Sequence, residues 1–217
     1  MPPKTLKKIL LVDDHPMIRE GLRALVNSQA DMSVCGEATT HDAGLEMASH
    51  LKPDLAIVDV SLPGRSGIEL AKDLQAILPD MPILMLSMHD ELIWAERALK
   101  AGASGYIMKR EEGVEMITAV RRLLDGGIYL SKRMEGQILK SIARPDAKTS
   151  PMVQLTDREV EVFTHIGRGK DTVAIAGLLH LSAKTVETHR ANIKNKLGLK
   201  TMTEMVSRAA RWIASQE

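Results

Sequence analysis

A chain of 217 residues has room for one large domain or two small ones, and with 44% hydrophobic but only 2% aromatic residues its cores must be filled by Leu, Ile, Val, Ala and the 13 Met. A single cysteine, Cys35, excludes an internal disulfide and any multi-Cys metal site, and it fits a reducing cytosol. The net charge of +1 hides an asymmetry: residues 1–128 hold 14 Lys and Arg against 19 Asp and Glu, whereas residues 129–217 hold 15 against 9, which makes nucleic acid the leading partner for the basic second part.

Lys4, Lys7 and Lys8 precede an apolar run that is short and stops at Asp13, so neither a signal peptide nor a membrane span is expected there. Strand-like runs then recur at residues 8–14 (KILLVDD), 32–38 (MSVCGEA), 55–60 (LAIVDV), 83–88 (ILMLSM) and 105–109 (GYIMK). Segments with helical spacing lie between them. Ile18, Leu22, Leu25 and Val26 form one stripe, and Ile68, Leu70, Ala71, Leu74 and Leu78 a second. Ile93, Ala95, Ala98 and Leu99 form a weaker one, and Val114, Ile117, Val120, Arg121 and Leu124 close the series. Five strands alternating with five helices predict an α/β fold, a five-stranded doubly wound parallel sheet over residues 1–128.

Gly126 and Gly127 break this pattern, and residues 129–151, with Pro145 and Pro151, read as a linker. From Leu155 the strand signal is gone. Thr156 and Glu159 form a capping box, Asp171 and Ser182 are N-cap candidates, Gly198 is a C′ residue, and Thr201 and Glu204 repeat the box. Residues 152–217 are therefore expected to form a small all-α domain of four helices with a helix-turn-helix layout.

Ligands of a doubly wound sheet bind beyond the carboxyl ends of its strands. Asp13 and Asp14 end the first strand, Asp59 the third, Ser87 the fourth and Lys109 the fifth. Three converging carboxylates raise each other's pKa unless a counter-charge is present. A hard cation such as Mg²⁺ suits carboxylate and water oxygens. Asp59 could then act as a nucleophile that forms an acyl phosphate, with Mg²⁺ and Lys109 stabilising charge on the phosphoryl group. Asp54, behind Pro53 at a strand start, and Asp90, before a helix, read as local structure.

The motifs LLVDDHP, AIVDVSLPGRSGIEL, ILMLSMHDE and AGASGYIMK resemble the receiver domain of bacterial two-component response regulators over about 125 residues. That resemblance implies a flavodoxin-like fold and a partner sensor histidine kinase that phosphorylates Asp59. It also implies Mg²⁺ held by Asp14, Asp59 and the carbonyl of Ser61, with Asp13 holding a metal water. Ser87 would move toward the phosphoryl group while Tyr106 turns inward as a switch. The chain departs from the pattern at Arg110, where the family often has Pro after a cis bond, and at His15, where many receivers carry an acidic residue.

In the third helix of the basic part, Val186, His189, Ile193 and Leu197 are placed inward. Lys184, Glu187, Thr188, Ala191 and Asn195 form the opposite stripe, flanked by Thr185, Arg190 and Lys194. Small residues ringed by basic ones suit a major-groove helix, the flanks gripping phosphates and the centre meeting base edges. LTDREVEVF, AIAGLLHLSAKTVETHRANIKNKLG and TEMVSRA resemble the LuxR/NarL/FixJ-type helix-turn-helix domain over about 60 residues. This implies double-stranded promoter half-sites as partner, DNA contact through the third helix, and a homodimer, through the fourth, when phosphorylated or DNA-bound. Glu187 stands where some relatives carry a basic residue; it could accept from a cytosine amino group or repel phosphate.

Met205, Ala209, Trp212 and Ile213 leave an apolar stripe open to core packing or to a dimer contact, and His165 and His180 read as structural histidines. The expectation is a cytoplasmic, DNA-binding transcriptional regulator, not an enzyme and not membrane-bound. Two rivals are an Asp-nucleophile, Mg²⁺-dependent phosphatase, which Ser61 two residues past Asp59 disfavours, and a DNA-binding protein with a degenerate receiver.

Overall fold

Five short apolar runs pair into one parallel sheet: β1 (Lys7–Val12), β2 (Met32–Ala38), β3 (Leu55–Asp59), β4 (Ile83–Ser87) and β5 (Gly105–Met108), in the order β2-β1-β3-β4-β5. The computed structural model describes residues 6–88, 91–111, 113–136 and 151–214; Lys4, Asp90, the side chain of Ile93 and residues 137–150 of the expected linker lie outside them. The strands alternate with α1 (Pro16–Asn27), α2 (His41–Leu51), α3 (Gly67–Ile77), α4 (Glu91–Lys100) and α5 (Gly113–Leu124). β3, β4 and β5 are buried at every position, as a parallel sheet covered on both faces requires.

Local chemistry starts the helices. Pro16 opens α1, the Thr40 hydroxyl accepts from the Ala43 N–H to cap α2, and Ser66 and Glu69 close a capping box on α3. After β2 at one edge the chain returns past β1 to lay β3 on its other side, so the winding reverses at β1 and a crevice opens between the carboxyl ends of β1 and β3.

Gly67 keeps that crevice in shape. Its N–H donates to the Val60 carbonyl at 2.8 Å, and a Cβ at this position would stand 1.8 Å from the Asp59 carbonyl oxygen. The backbones of α3 and the end of β3 touch only because position 67 has no side chain.

Three expectations shift. The strands stop at Val12, Asp59, Ser87 and Met108, so Asp13, Asp14 and Lys109 sit in the loops just beyond them. Ladder-like bonds still continue one residue past the strands: Asp13 N–H to Ala38, Val60 N–H to Leu86 and Lys109 N–H to Ser87. The face of α5 differs from the stripe read in the sequence. Met116, Ala119, Val120 and Leu123 are buried, while Val114 is 73% exposed and Arg121 binds Asp31 at 2.5 Å. Arg121 reaches its carboxylate only from the outer side of the helix, which rotates Met116 onto the sheet. Trp94, absent from the α4 stripe, is fully buried.

The chain divides into two compact units, Met1–Ile142 and Ala143–Glu217, and the division falls inside the expected linker. Tyr129 is still tied to the sheet, since its carbonyl accepts from the Tyr106 N–H at 3.0 Å and its N–H donates to Ser104 at 3.2 Å.

The second unit comprises a 3₁₀ turn (Pro151–Gln154) and α6 (Asp157–Gly167), α7 (Thr172–Leu178), α8 (Ala183–Lys196) and α9 (Met202–Ala214). All the expected caps form: Thr156 with Glu159, Asp171, Ser182, Gly198 at positive φ, and Thr201 with Glu204. α6 is buried from Asp157 to Ile166. Arg158 pairs with Glu161 and the Leu179 carbonyl, and Glu159 with Lys196 at 2.7 Å.

The α9 stripe is core. Met205 and Ala209 are fully buried, Trp212 lies with its ring 5.6 Å from that of Phe163, and a Cβ on Gly167 would meet the Ala209 carbonyl at 2.7 Å. These residues are consumed in packing on α6, which leaves Met202 and Val206 as the exposed large apolar side chains of α9.

Gly67→Ala is expected to destabilise the first unit by about 2–3 kcal/mol, because the backbone of β3 must give way. Gly21→Ala, in α1 with no atom within 4 Å of the new Cβ, should be neutral or stabilising by up to about 1 kcal/mol. Urea denaturation of both variants tests the contrast, and equal effects would refute it.

His165 supplies a pH dependence. Burial, followed by Arg168, Lys170 and Arg158, pulls its pKa down to about 4 from 6.5. The unfolded chain therefore binds a proton between pH 6.5 and 4 that the folded unit refuses. Stability is full above this window and declines through it as pH falls, by on the order of 2 kcal/mol. His165→Gln should flatten the decline in denaturation followed by tryptophan emission, and an unchanged pH profile would count against this account.

Candidate metal centre and nucleic-acid interface

The crevice at the end of β1 and β3 gathers the predicted residues. Asp59 is the last residue of β3, and Asp13 and Asp14 follow β1 directly. The Lys109 Nζ, just past β5, lies 2.7 Å from the Asp13 Oδ2 and 2.7 Å from the Asp59 Oδ2, and all three side chains are 2–3% exposed. The Ser61 N–H donates to the Asp59 Oδ1 at 3.2 Å. Ser87 ends β4 fully buried, and Tyr106, three positions before Lys109, is 2% exposed. The Lys109–Arg110 peptide is trans.

Two residues join the site without having been singled out as members. The His15 Nδ1 approaches the Asp14 Oδ1 at 2.7 Å, the Asp13 Oδ1 at 3.2 Å and the Asp59 Oδ2 at 3.9 Å. Its adjacency to two aspartates was the available signal. The Arg19 Nη1, from the first turn of α1, donates to the Asp13 carbonyl at 2.8 Å, and its Nε reaches Glu37 at 3.2 Å. No spacing in the sequence announces that contact, because it depends on how α1 lies against the sheet.

The electrostatics are those of a crowded anionic cleft. Burial raises the Asp59 pKa, Lys109 lowers it and Asp13 raises it again, with a balance at about 7. The Lys109 pKa is pulled down by burial but raised on balance by Asp59 and Asp13. One ammonium does not offset three carboxylates. Ligand atoms of Asp13, Asp14, His15 and Asp59 all lie within 4.8 Å of one another. This predominantly oxygen donor set fits a hard divalent cation such as Mg²⁺.

In the second unit, Lys184, Glu187, Thr188, Ala191 and Asn195 form an exposed stripe on α8, opposite the buried Val186, Ile193 and Leu197. His189 is half-buried, as are Thr185 and Lys194 at the flanks. Arg190 differs from the expected outward phosphate contact: its side chain is only 16% exposed, and its Nη1 donates to the Thr172 hydroxyl and to the Glu187 Oε1. The carboxylate of Glu187 draws it along the helix toward α7. His165 is buried and His180 exposed; among the described residues the one group able to hold an ion is that of Asp13, Asp14, His15 and Asp59. No helix among the described residues is long and apolar enough to cross a membrane.

Comparison with known proteins agrees with this layout. Residues 9–121 match the response regulator receiver domain, and residues 153–209 match the bacterial regulatory proteins of the luxR family. Response regulator GacA of Pseudomonas aeruginosa is 31% identical over 94% of this chain and 95% of its own. Transcriptional regulatory protein LiaR of Bacillus subtilis is 32% identical over 94% and 97%. A crystal structure of a two-component response regulator of the LuxR family from Aurantimonas sp. SI85-9A1 superposes with a TM-score of 0.60 at 31% identity, covering 64% of this chain and 99% of that one.

If the cleft holds Mg²⁺, saturating Mg²⁺ should raise the melting temperature of the first unit, since a ligand at 100 times its Kd adds about 2.7 kcal/mol. Asp14→Asn should remove most of the shift. Thermal melts in Mg²⁺ and in EDTA decide, and an equal shift in both proteins would place the cation elsewhere.

Proposed function

The chain belongs to the two-component response regulators of the NarL/FixJ type, with a LuxR-type helix-turn-helix, and from that membership we propose that Asp59 accepts a phosphoryl group from a partner sensor histidine kinase and thereby controls dimerisation and promoter binding. The observation that carries this reading is the Lys109 ammonium set 2.7 Å from both Asp59 and Asp13 in one buried cleft at the switch point of the sheet. A carboxylate oxygen of Asp59 attacks phosphorus as the bond from phosphorus to the kinase's histidine nitrogen breaks, which leaves an acyl phosphate on Asp59 and a neutral imidazole on the kinase. Lys109 steadies the growing negative charge on the phosphoryl oxygens. Asp13, Asp14, Asp59 and the Ser61 carbonyl would hold Mg²⁺, which supplies further charge neutralisation when bound.

Ser87 and Tyr106 are the switch in this reading. Both lie buried on the neighbouring strands β4 and β5, where a displaced hydroxyl and a turning ring can convert a local charge into a different surface. The output is DNA binding by α8: Lys184, Thr188 and Ala191 face base edges, Thr185 and Lys194 the backbone, with Glu187 and Arg190 beside them. Dimerisation through α9 would use its exposed Met202 and Val206, since Met205 and Ala209 are spent on the core. The unit 1–128 is the phosphoacceptor, 129–151 the connection and 152–217 the reader, and the protein works in the cytoplasm.

DNA binding by fluorescence anisotropy tests the switch. Beryllofluoride with Mg²⁺ stands in for the phosphoryl group on Asp59. Affinity for a library-selected site should rise at least several-fold in the wild type and stay unchanged in Asp59→Asn. Equal binding in all conditions would separate DNA reading from Asp59 altogether.

A further inference from the structure

Glu187 faces outward from α8, yet its carboxylate is engaged. The Oε1 accepts from the Thr172 hydroxyl at 2.5 Å and from the Arg190 Nη1 at 3.1 Å. The same Arg190 Nη1 donates to the Thr172 oxygen. The three side chains close a ring in which one hydroxyl donates and accepts at once and one carboxylate oxygen takes two donors. Two of its members are a full charge pair, which makes these the stronger kind of hydrogen bond.

The ring spans two helices. Thr172 is the first residue of α7, one position after the Asp171 cap, whereas Glu187 and Arg190 lie one turn apart in the middle of α8. Arg190 is drawn in far enough that its Nε is buried without an acceptor among the described residues. A buried donor left unpaired costs free energy. The side chain is held there by what its Nη1 end gains from Thr172 and Glu187. Turning the engaged carboxylate oxygen to a base edge would break both bonds and release Arg190 from the junction.

Resting on the reading of α8 as the DNA-contacting helix, we propose that Glu187 is a positioning residue: with Arg190 and Thr172 it clasps α7 to α8 and sets the angle at which Lys184, Thr188 and Ala191 meet DNA, and it does not itself read a base. Its position on the exposed stripe follows from where the clasp can be reached, beside the readers but turned along the helix.

The test uses the full chain with beryllofluoride and Mg²⁺, a DNA site selected by the wild type, and a panel of single base-pair variants of that site. Glu187→Ala should weaken binding to every member of the panel by about tenfold while leaving their ranking unchanged. Glu187→Gln keeps an amide oxygen that can accept from both donors, and it should bind within about twofold of wild type with the same ranking. Adding Glu187→Ala to Arg190→Ala should cost little beyond Arg190→Ala alone, because both act through one ring. Melting curves confirm that each variant is folded.

A changed preference at one base pair in Glu187→Ala, or a shift toward adenine in Glu187→Gln, would assign Glu187 to base reading and overturn the clasp. Additive losses in the double variant, or no loss in Glu187→Ala, would overturn it as well. A wild-type chain that selects no sequence would instead refute the DNA-binding reading, and the clasp's purpose with it.

Discussion

The Lys109 ammonium, 2.7 Å from both Asp13 and Asp59, is the contact on which the first unit is organised. Three carboxylates at the end of one crevice repel one another, and burial raises the cost of each charge. A cation delivered by β5 lets carboxylates from β1 and β3 approach within one cleft. That delivery depends on the order β2-β1-β3-β4-β5, which separates β5 from β3 by a single strand. It also depends on Gly67, where any side chain would displace the Asp59 backbone. The compensation is incomplete, and the residual negative charge suits the cleft to a divalent cation.

The two units use buried charge differently. In the first, the pairs Lys109–Asp13 and Lys109–Asp59 leave an unbalanced site whose charge state can change. In the second, Arg158–Glu161 is a balanced pair within α6, and Lys196–Glu159 is one that joins α6 to α8. Buried pairs of this second kind contribute little net stability over apolar side chains, but breaking one leaves a lone buried charge. The Lys196–Glu159 pair and the Arg158 bond to the Leu179 carbonyl hold the register of the helices rather than add to the strength of the core, and Phe163, Trp212, Met205 and Ala209 supply the apolar packing of α9 on α6.

The features that the sequence misplaced or left open share a cause. Arg121 could be counted in an apolar stripe because its stem is long, until Asp31 proved to hold its head group outside. Arg190 could be read as a phosphate contact because arginines on such helices point outward, until Glu187 and Thr172 turned it inward. The Met205–Ala209 stripe was compatible with a dimer face or a core, and only the approach of Gly167 to the Ala209 carbonyl decides for the core. In each case the choice rests on a partner remote in the chain.

Sequence alone determined the α/β alternation, the helix caps, the split into an acidic and a basic part, and the convergence of Asp13, Asp14, Asp59, Ser87 and Lys109. These follow from local chemistry: periodicity, capping hydroxyls, and the rule that strand ends share one side of a parallel sheet. Tertiary structure decided which face of α5 lies down, that His15 and Arg19 belong to the cleft, and that Glu187 is bound to α7. Those facts depend on the rotation and approach of packed elements, which are set by the sum of many weak contacts across the chain and leave no periodic trace along it.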